Sequence, residues 1–270
     1  MALFSNTLQV IRHYLATAMG DNVFGQCGVT GADTTHIYAS FLHQANDYYN
    51  NNNYNVYVYK GTNIGVEKRV TDWVLADFLL TVHSAYAAAC DATSYIELHH
   101  IFTEDEYRKA INLAIESLAR KYLVDIKDES ITLVASTYEY ALSLSMLGII
   151  RIITEKTAAS DQFPAWAEID PRNWDIIRSY PPKLKLHEGY YSVSAGKDLR
   201  IEGYGSQPIV DDDTDVIYLP PDWLVQKAIT FLPQNKIQSG KLDEVYRRAI
   251  LTTAREPVSK IDPRVRWVIE

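Results

Sequence analysis

A glycine-containing turn between two strand-like segments constrains the fold of this chain more than any other feature. Residues 56–72 read VYVYKGTNIGVEKRVTD. The β-branched and aromatic residues on either side of the turn are typical of strands. Gly61 and Gly65 can take positive φ at little cost, and the turn motif consists of these two glycines with Asn63 and Arg69. The segment therefore predicts two short strands joined by a tight turn.

The clearest helix signal begins at Thr103. Thr103 and Glu106 have the spacing of a capping box. Apolar residues then recur at helical spacing as far as Tyr122. Acidic residues near the start and basic residues near the end suit the helix dipole. We expect a helix over residues 103–122. A small β module leading into a capped helix, with no catalytic equipment, favours assembly rather than chemistry.

The alternation of periods 2 and 3.6 along the chain predicts the remaining organisation. Ser5 or Asn6 is expected to cap a first helix that Gly20 ends. We predict an α+β fold, with a helical body of capped amphipathic helices, two small antiparallel β-rich lobes and an extended C-terminal tail. The expected segments are an N-terminal helix (1–20), a β-rich lobe (21–100), a core helix (101–130), a second β-rich lobe (131–219), C-terminal helices (220–256) and a docking tail (257–270).

The composition excludes several classes of protein. The chain has 47% hydrophobic and 22% charged residues, which is the range of ordinary globular domains. No apolar run is long enough to span a membrane. The first residues lack the basic and apolar regions of a secretory signal, so we expect assembly in the cytosol. The net charge of −8 argues against binding nucleic acid through its phosphates, but not against a protein that lets DNA pass.

Two clusters contain residue types that bind metals. Glu97, His99 and His100 are close in sequence, but in a strand Glu97 and His99 point to one face and His100 to the other. A structural role at a strand end is therefore expected for them. The acidic segment 211–215 lacks the glycine and the distal glutamate of a calcium loop, which favours a solvated turn. We expect no metal site.

The sequence contains no recognisable catalytic or cofactor-binding motif. The turn at residues 61–65 has no Walker lysine and leads into a strand, so it does not predict a phosphate site. Cys27 and Cys90 lack clustered partners and local activating groups, and we interpret them as small buried hydrophobic residues. The expectation is a protein without enzymatic activity and without a cofactor.

Several segments together carry a resemblance to a known family. They are GTNxGxxKRVTD from residue 61, SYIEL at 94–98, the acid-led helix from residue 103, RIEGY at 200–204, and residues 216–220 before a helix that contains Ala228. This pattern resembles head-to-tail adaptor (neck connector) proteins of tailed bacteriophages. The matches span residues 28–268 and consist of turn and packing residues rather than catalytic ones.

The resemblance implies a structural virion protein at the head–tail interface that is assembled in the host cytoplasm. Its copies would form a ring, a dodecamer, between the portal protein and the next neck or tail-terminator protein. Genomic DNA would pass through the ring without specific binding during packaging and ejection, and the β-rich lobes could also contact fibres. The alternative is a tail-fibre or baseplate module that attaches to a receptor or glycan through Tyr48, Tyr49, Tyr54 and Tyr57.

The C-terminal tail is the segment expected to dock on the portal. Members of the adaptor family typically dock through their C-terminal segments, which correspond here to residues 241–270. Pro257 and Pro263 prevent the last helix from continuing, so residues 258–270 are expected to be extended and poorly ordered in a free subunit. The alternative to docking is that Trp267 packs on its own domain. The predicted docking residues are Arg255, Lys260, Arg264, Arg266 and Trp267.

Overall fold

The computed structural model describes residues 5–119, 121–237, 242–259 and 261–268. The chain divides into two compact units. Residues 5–117 and 209–256 form one, which we call the mixed unit because it contains helices and strands. Residues 118–208 and the segment that follows residue 257 form the other, which we call the β unit. In sequence, the β unit is inserted between the two parts of the mixed unit.

Strands outnumber helices in the described part of the chain. The α-helices are α1 (Leu8–Met19), α2 (Tyr48–Asn51), α3 (Glu104–Glu116), α4 (Pro221–Ile229), α5 (Gln234–Ile237) and α6 (Leu242–Thr253). The strands are β1 (Asn6–Thr7), β2 (Val23–Gln26), β3 (His36–Tyr38), β4 (Asn55–Lys60), β5 (Glu67–Val74), β6 (Leu79–Val82), β7 (Tyr95–His99), β8 (Leu123–Thr132), β9 (Glu139–Ala141), β10 (Met146–Thr154), β11 (Trp174–Ile177), β12 (Lys183–Leu186), β13 (Asp198–Ser206), β14 (Val216–Ile217) and β15 (Arg266–Trp267).

The four longer helices of the mixed unit pack against one another. α1 contacts α3, α4 and α6, and α4 also contacts α3 and α6. Helices α1, α3 and α4 each bury one apolar stripe. The buried residues include Ile11 and Leu15 of α1, Ile111 of α3 and Ala228 of α4. Helices from three separate stretches of sequence therefore share one apolar interface.

The first helix begins one or two residues later than predicted. Thr7, rather than Ser5 or Asn6, caps α1, because its hydroxyl accepts a hydrogen bond from the backbone of Val10. The helix ends as predicted at Gly20, which adopts a φ of 70°.

The capping box of α3 is confirmed. The side chain of Thr103 accepts from the Glu106 backbone, and the Glu106 carboxylate accepts from the Thr103 backbone. The helix ends at Glu116, short of the predicted Tyr122. The C-terminal helices predicted within residues 220–256 are also present, as α4, α5 and α6.

A six-stranded antiparallel sheet forms the rest of the mixed-unit core. Its strand order is β2-β7-β4-β5-β6-β3, and it curls into a half-barrel. Val56, Trp73, Leu80 and Ile96 contribute fully buried side chains to it. The two strands predicted on either side of the turn within residues 56–72 are confirmed as β4 and β5 with small boundary shifts.

The β unit contains two antiparallel sheets. Their strand orders are β15-β10-β13-β8 and β11-β12-β9. Ile149, Ile201, Trp174 and Leu184 are buried in one core. β10 and β13 approach so closely that a Cβ at Gly203 would overlap backbone atoms of β10, which explains a glycine inside this strand.

The predicted helical body is wrong. The described residues form 15 strands in four sheets, and only 23% of the structure is helical. Residues 123–130, which the sequence analysis groups with the core helix, belong to β8, and β8 pairs along most of its length with β13. Charged residues at alternate positions of β8 leave one face exposed, and this conceals a strand that follows directly after a helical turn.

Replacing Thr103 by alanine should lower the free energy of unfolding of the mixed unit by about 1 kcal/mol. The Thr103 hydroxyl accepts from the Glu106 backbone at 3.3 Å, and alanine leaves this donor without its partner. Thr103→Ser retains the hydroxyl and is the matched control. Urea denaturation followed by circular dichroism measures the difference. Equal midpoints for the wild type and Thr103→Ala would contradict the capping role.

Candidate functional site

The end of the tail is a strand of the β unit. β15 pairs antiparallel with β10, with Trp267 opposite Gly148. The backbone N–H of Val268 donates to a β10 carbonyl at 2.8 Å, and its side chain is buried in the β-unit core. Residues 266–268 are extended, as expected, but they pair with β10 and pack on the β-unit core. Ladder hydrogen bonds and an apolar anchor fix the chain there.

The two residues of β15 have different environments. The Arg266 guanidinium lies 4.5 Å from the centroid of the Trp174 ring and donates to the Trp174 carbonyl at 2.7 Å. Trp267 covers Gly148, where a Cβ would lie 3.3 Å from the indole. The Trp267 side chain nevertheless remains 37% exposed. Trp267 thus packs against its own unit, as the alternative predicts, and stays partly accessible.

The remaining predicted docking residues do not join this pair. Arg264 forms an ion pair with Asp262 at 2.7 Å, and its side chain is 76% exposed. Arg255 is exposed and belongs to the mixed unit. Lys260 lies outside the described residues.

The turn motif fastens a neighbouring loop, residues 83–94. The Asn63 side chain donates to the Ala88 carbonyl at 2.8 Å and accepts from the Ala88 N–H at 3.3 Å. A Cβ on Gly61 would lie 2.5 Å from the Thr93 carbonyl oxygen, so only glycine fits against the loop. Both glycines of the motif and Asn63 have positive φ. The predicted tight turn is confirmed.

Arg69 lies apart from the turn, although it belongs to the same sequence motif. It is in β5 and donates to the Asn53 side chain at 2.7 Å. Its neighbour Lys68 donates to the carbonyls of Ser84 and Ala85 at 2.9 and 2.6 Å. The motif therefore holds the 83–94 loop from two places.

A buried arginine connects most parts of the mixed unit. Arg12 on α1 has no solvent exposure. Its Nε donates to Glu97 on β7 at 2.5 Å, and its Nη1 donates to Glu104 on α3 at 3.5 Å and to Asp213 in the acidic turn. The guanidinium lies 4.7 Å from the ring centroid of Tyr57 on β4. One cation thus joins two helices, two strands and a turn, and we call this group the Arg12 cluster.

Two histidines complete the surroundings of Glu97. His99 Nε2 lies 3.4 Å from a Glu97 carboxylate oxygen, and His13 contacts the other oxygen. Burial opposes ionisation, but the Arg12 charge and the two imidazoles lower the pKa of Glu97 well below its usual value. The prediction that Glu97 and His99 share one face of a strand is confirmed.

A second buried carboxylate, Asp21, organises the chain that leads into α3. It accepts hydrogen bonds from the backbones of His100, Ile101 and Phe102 at 2.7–3.0 Å, and from the Tyr107 hydroxyl at 2.9 Å. Burial alone would raise the pKa of Asp21. These donors and the His100 imidazole outweigh that effect and lower the pKa below its usual value. His100 therefore faces Asp21 and not Glu97, as the alternation along β7 predicts.

The acidic turn is solvated only in part. The Asp215 carboxylate accepts from the backbones of Asp211 and Asp212, as in a local turn. Asp213 instead belongs to the Arg12 cluster and accepts from the Tyr57 hydroxyl at 3.0 Å. The expectation of a solvated turn is wrong for Asp213, because this residue supplies a counter-charge to the buried arginine.

A groove of about 510 Å³ opens among α1, α4 and α6 of the mixed unit. Exposed Tyr14 and buried Trp223 supply its aromatic lining, and Arg248 supplies a positive charge. Ile250 and Leu251 of α6 are exposed, and Leu251 retains 78% of its accessible surface. Leu251 follows the groove residue Arg248 by three positions on α6, so the two are neighbours on the helix surface. We call the groove together with Leu251 the helical face.

The helical face contains none of the site residues predicted from the sequence. Its signal was present in α6, where Ala249 and Thr253 form the buried stripe and Leu251 lies outside it. One exposed leucine is ordinary on a protein surface, so this signal gains weight only beside the groove, which the folded unit creates.

No protein-family model matches the sequence, and a search of curated proteins finds no match. Within the described ranges, no group of three or more His, Cys, Asp and Glu side chains has an arrangement suited to a metal ion. None of the helices in this part of the chain combines the length and apolarity that crossing a membrane requires. Function must therefore be argued from the residues and their packing.

Acid should destabilise the mixed unit through Glu97 and Asp21. Their folded-state pKa values are lowered, so their stabilisation is present above the ordinary values of 4.5 and 3.8 and is lost as the pH falls below them. Burial raises the pKa of Glu67 and Glu104, which act in the opposite direction. Comparing Glu97→Gln with the wild type therefore isolates the contribution of Glu97.

Glu97→Gln should lower the free energy of unfolding by about 3 kcal/mol at pH 7, since it removes one partner of a buried ion pair. The difference from the wild type should shrink as the pH falls below 4. Asp105→Asn, which disrupts exposed pairs with Lys109 and Arg108, is the control and should cost less than about 1 kcal/mol. Urea titrations at pH 7 and at a pH below 4 measure the free energies of unfolding of the wild type and both variants. A difference that does not change with pH would contradict the assignment.

Proposed function

We propose that this chain is a structural subunit of a tailed-bacteriophage neck, a head-to-tail adaptor whose copies form a ring beside the portal. The resemblance of the turn motif and of the helix after it to adaptor proteins supports this proposal. The structure adds a physical reason for each motif residue near the turn, since Gly61 and Asn63 fasten the 83–94 loop. These residues build a scaffold and carry no reaction.

The observation that carries the proposal is the helical face. A single exposed leucine is common on soluble domains, but Leu251 neighbours a groove with aromatic walls and adds to a partly apolar patch of the kind that marks interaction surfaces. A neighbouring copy in a ring would cover this face by a head-to-tail contact, in which two different surfaces of the same chain meet. The face belongs entirely to the mixed unit, so it does not depend on how the two units are arranged.

The interior of the mixed unit also favours a structural role. Glu97 and Asp21, whose pKa values are both lowered, are each matched by buried or backbone donors. A catalytic acid or base needs access to a substrate, whereas Glu97 has no solvent exposure. Perturbed pKa values here accompany a structural ion network, which is the usual alternative to an active site.

The charge of the chain suits a DNA conduit. A net charge of −8 repels phosphates, so a lumen lined by this protein would not retain a passing duplex. DNA would then move through the ring during packaging and ejection without specific contacts. The next neck or tail-terminator protein and fibres remain proposed partners of the opposite side of the ring.

We assign portal docking to the outward side of the tail. Arg264 points its charge to solvent, and Trp267 keeps part of its indole accessible on the edge strand. Arginine and tryptophan are the residue types most often found at the energetic centre of interfaces. Arg255 and Lys260 remain in this proposal as basic residues of the same C-terminal stretch.

The alternative, a receptor-binding module of a fibre or baseplate, loses much of its expected surface. Tyr49, Tyr54 and Tyr57 are buried packing residues of the mixed unit, and only Tyr48 is exposed. Tyr49 and Tyr54 lie edge to face, with ring centroids 5.1 Å apart, and Tyr49 also packs against Trp73.

Leu251→Glu should prevent ring assembly while leaving the subunit folded, because it places a charge in the proposed subunit contact and removes nothing from the core. Leu144→Glu is a matched control, since Leu144 is an exposed leucine of the β unit. Electron microscopy of phage particles made with each variant measures the result. We expect ring-symmetric neck density with the control and its loss with Leu251→Glu. If density for the wild-type protein appears at the distal tip of the tail, the fibre alternative is supported and the adaptor proposal is overturned.

Arg264→Glu should weaken attachment to the portal without unfolding the β unit. The side chain is exposed, and its recorded ion pair is the local one with Asp262. Co-sedimentation of the full chain with portal rings measures binding, and a charge reversal at an interface hot spot should reduce it at least about tenfold. Arg172→Glu, at an exposed arginine with a similar neighbouring aspartate, is the control. Unchanged binding by Arg264→Glu would exclude the tail surface as the docking site.

A further inference from the structure

An open cleft of about 440 Å³ lies beside strand β5 of the mixed unit. Asn50 of α2 borders it, and the rest of its lining comes from Arg69, Val70 and Thr71 of β5 and from His83, which follows β6. Within the described residues, this lining contains no carboxylate. We call it the α2–β5 cleft, and its volume is typical of sites for small molecules.

Strand pairing brings the two basic side chains of the cleft together. Val70 pairs with Val82, and the backbone N–H of His83 donates to the Arg69 carbonyl at 3.1 Å. Arg69 and His83 are therefore opposite one another, and opposite residues of an antiparallel pair project from the same face of the sheet. Both are exposed on the outer face, whereas Val70 and Val82 belong to the core.

No described carboxylate neutralises either basic side chain. Arg69 Nη2 donates to the Asn53 side chain at 2.7 Å, and none of the residues that the structure describes accepts from its Nε or Nη1. The His83 imidazole contacts the Ser84 hydroxyl through Nε2 at 3.3 Å. Arg69 thus retains two donor nitrogens, which suit bidentate binding of a carboxylate or a phosphate. This is unusual in a chain whose net charge is −8.

The other polar groups of the cleft are hydrogen-bond acceptors. The Asn50 amide nitrogen donates to Asp47 at 3.1 Å, and the amide oxygen is buried without a donor from the described part of the chain. The Thr71 hydroxyl donates to the Thr81 carbonyl at 3.2 Å, so its oxygen can only accept a further hydrogen bond. A buried acceptor without a partner is unfavourable, which favours a ligand that donates to it.

We propose that the α2–β5 cleft binds a small polyol that carries a phosphate or a carboxylate. The anionic group would accept from Arg69 and His83, and the hydroxyl groups would donate to the oxygens of Asn50 and Thr71. A cleft with donors on one side and free acceptors on the other matches such a ligand better than it matches a bare anion. Glycerol phosphate and glycerate are its smallest representatives. This inference does not depend on ring formation.

The test is isothermal titration calorimetry of the purified full chain with glycerol phosphate and with glycerate. We expect saturable one-to-one binding of at least one of them, and the tighter ligand identifies the anionic group. Inorganic phosphate, acetate and glycerol each supply only part of the ligand and should bind at least about tenfold more weakly. Binding of neither polyol would overturn the proposal. An affinity for one of the fragments equal to that for the polyol would also overturn it.

Variants assign the two halves of the ligand. Arg69→Lys keeps the charge but loses the planar fork, and it should weaken polyol binding at least about tenfold. Asn50→Ala should weaken polyol binding several-fold and leave the affinity for the matching anionic fragment unchanged, which general electrostatic attraction would not produce. Arg172→Lys, at an exposed arginine of the β unit, is the matched control. Circular dichroism checks that each variant is folded. Equal weakening by Arg172→Lys, or wild-type affinity in both cleft variants, would exclude the site.

Discussion

The mixed unit depends on the neutralisation of one buried guanidinium. Arg12 has no access to water, and Glu97, Glu104 and Asp213 converge on it from β7, α3 and the acidic turn. Without the cation, these carboxylates would repel one another in a medium that solvates charge poorly, and removing one partner of such a network typically costs about 3–5 kcal/mol. The directionality of the guanidinium also fixes which helix face meets which strand. Apolar packing alone would leave this register less defined.

The strongest polar interactions of the molecule are directed inward. Asp21 accepts hydrogen bonds from the backbone that leads into α3, and Asn63 donates one to the 83–94 loop. The Arg12 cluster forms ion pairs in the centre of the mixed unit. The outward features are of another kind, namely Leu251 on the helical face and the accessible part of Trp267 on the edge strand. This division is what a building block requires, because its interior must be rigid while its surface must recognise other chains.

The sequence predicts local features of this fold well and distant ones poorly. The capping box at Thr103 and the helix end at Gly20 were predictable because the residues that decide them lie within four positions of each other. β8 was missed because its exposed charged face resembles the solvent side of a helix, and its partner β13 lies far along the chain. Because strands such as β8 were missed, the predicted share of helix was too large, and the predicted helical body is wrong.

The candidate sites show the same limit. Glu97 and His99 were placed on one strand face because strand alternation is a local rule. No local rule connects Arg12 with Glu97, 85 residues away. The position of Trp267 over Gly148 depends on a close approach that only the folded β unit creates.

The interrupted order of the two units has a consequence for synthesis on the ribosome. Arg12 emerges early, but its partner Asp213 follows 201 residues later, and α4 and α6 come later still. The β unit is translated in between. The six-stranded sheet lies within residues 23–99 and can form early, whereas the packing of α1 and α3 stays incomplete until α4 and α6 have been made, and contacts of such high sequence separation form slowly. While the β unit is being translated, a nascent chain therefore exposes the apolar stripes of α1 and α3, which favours aggregation.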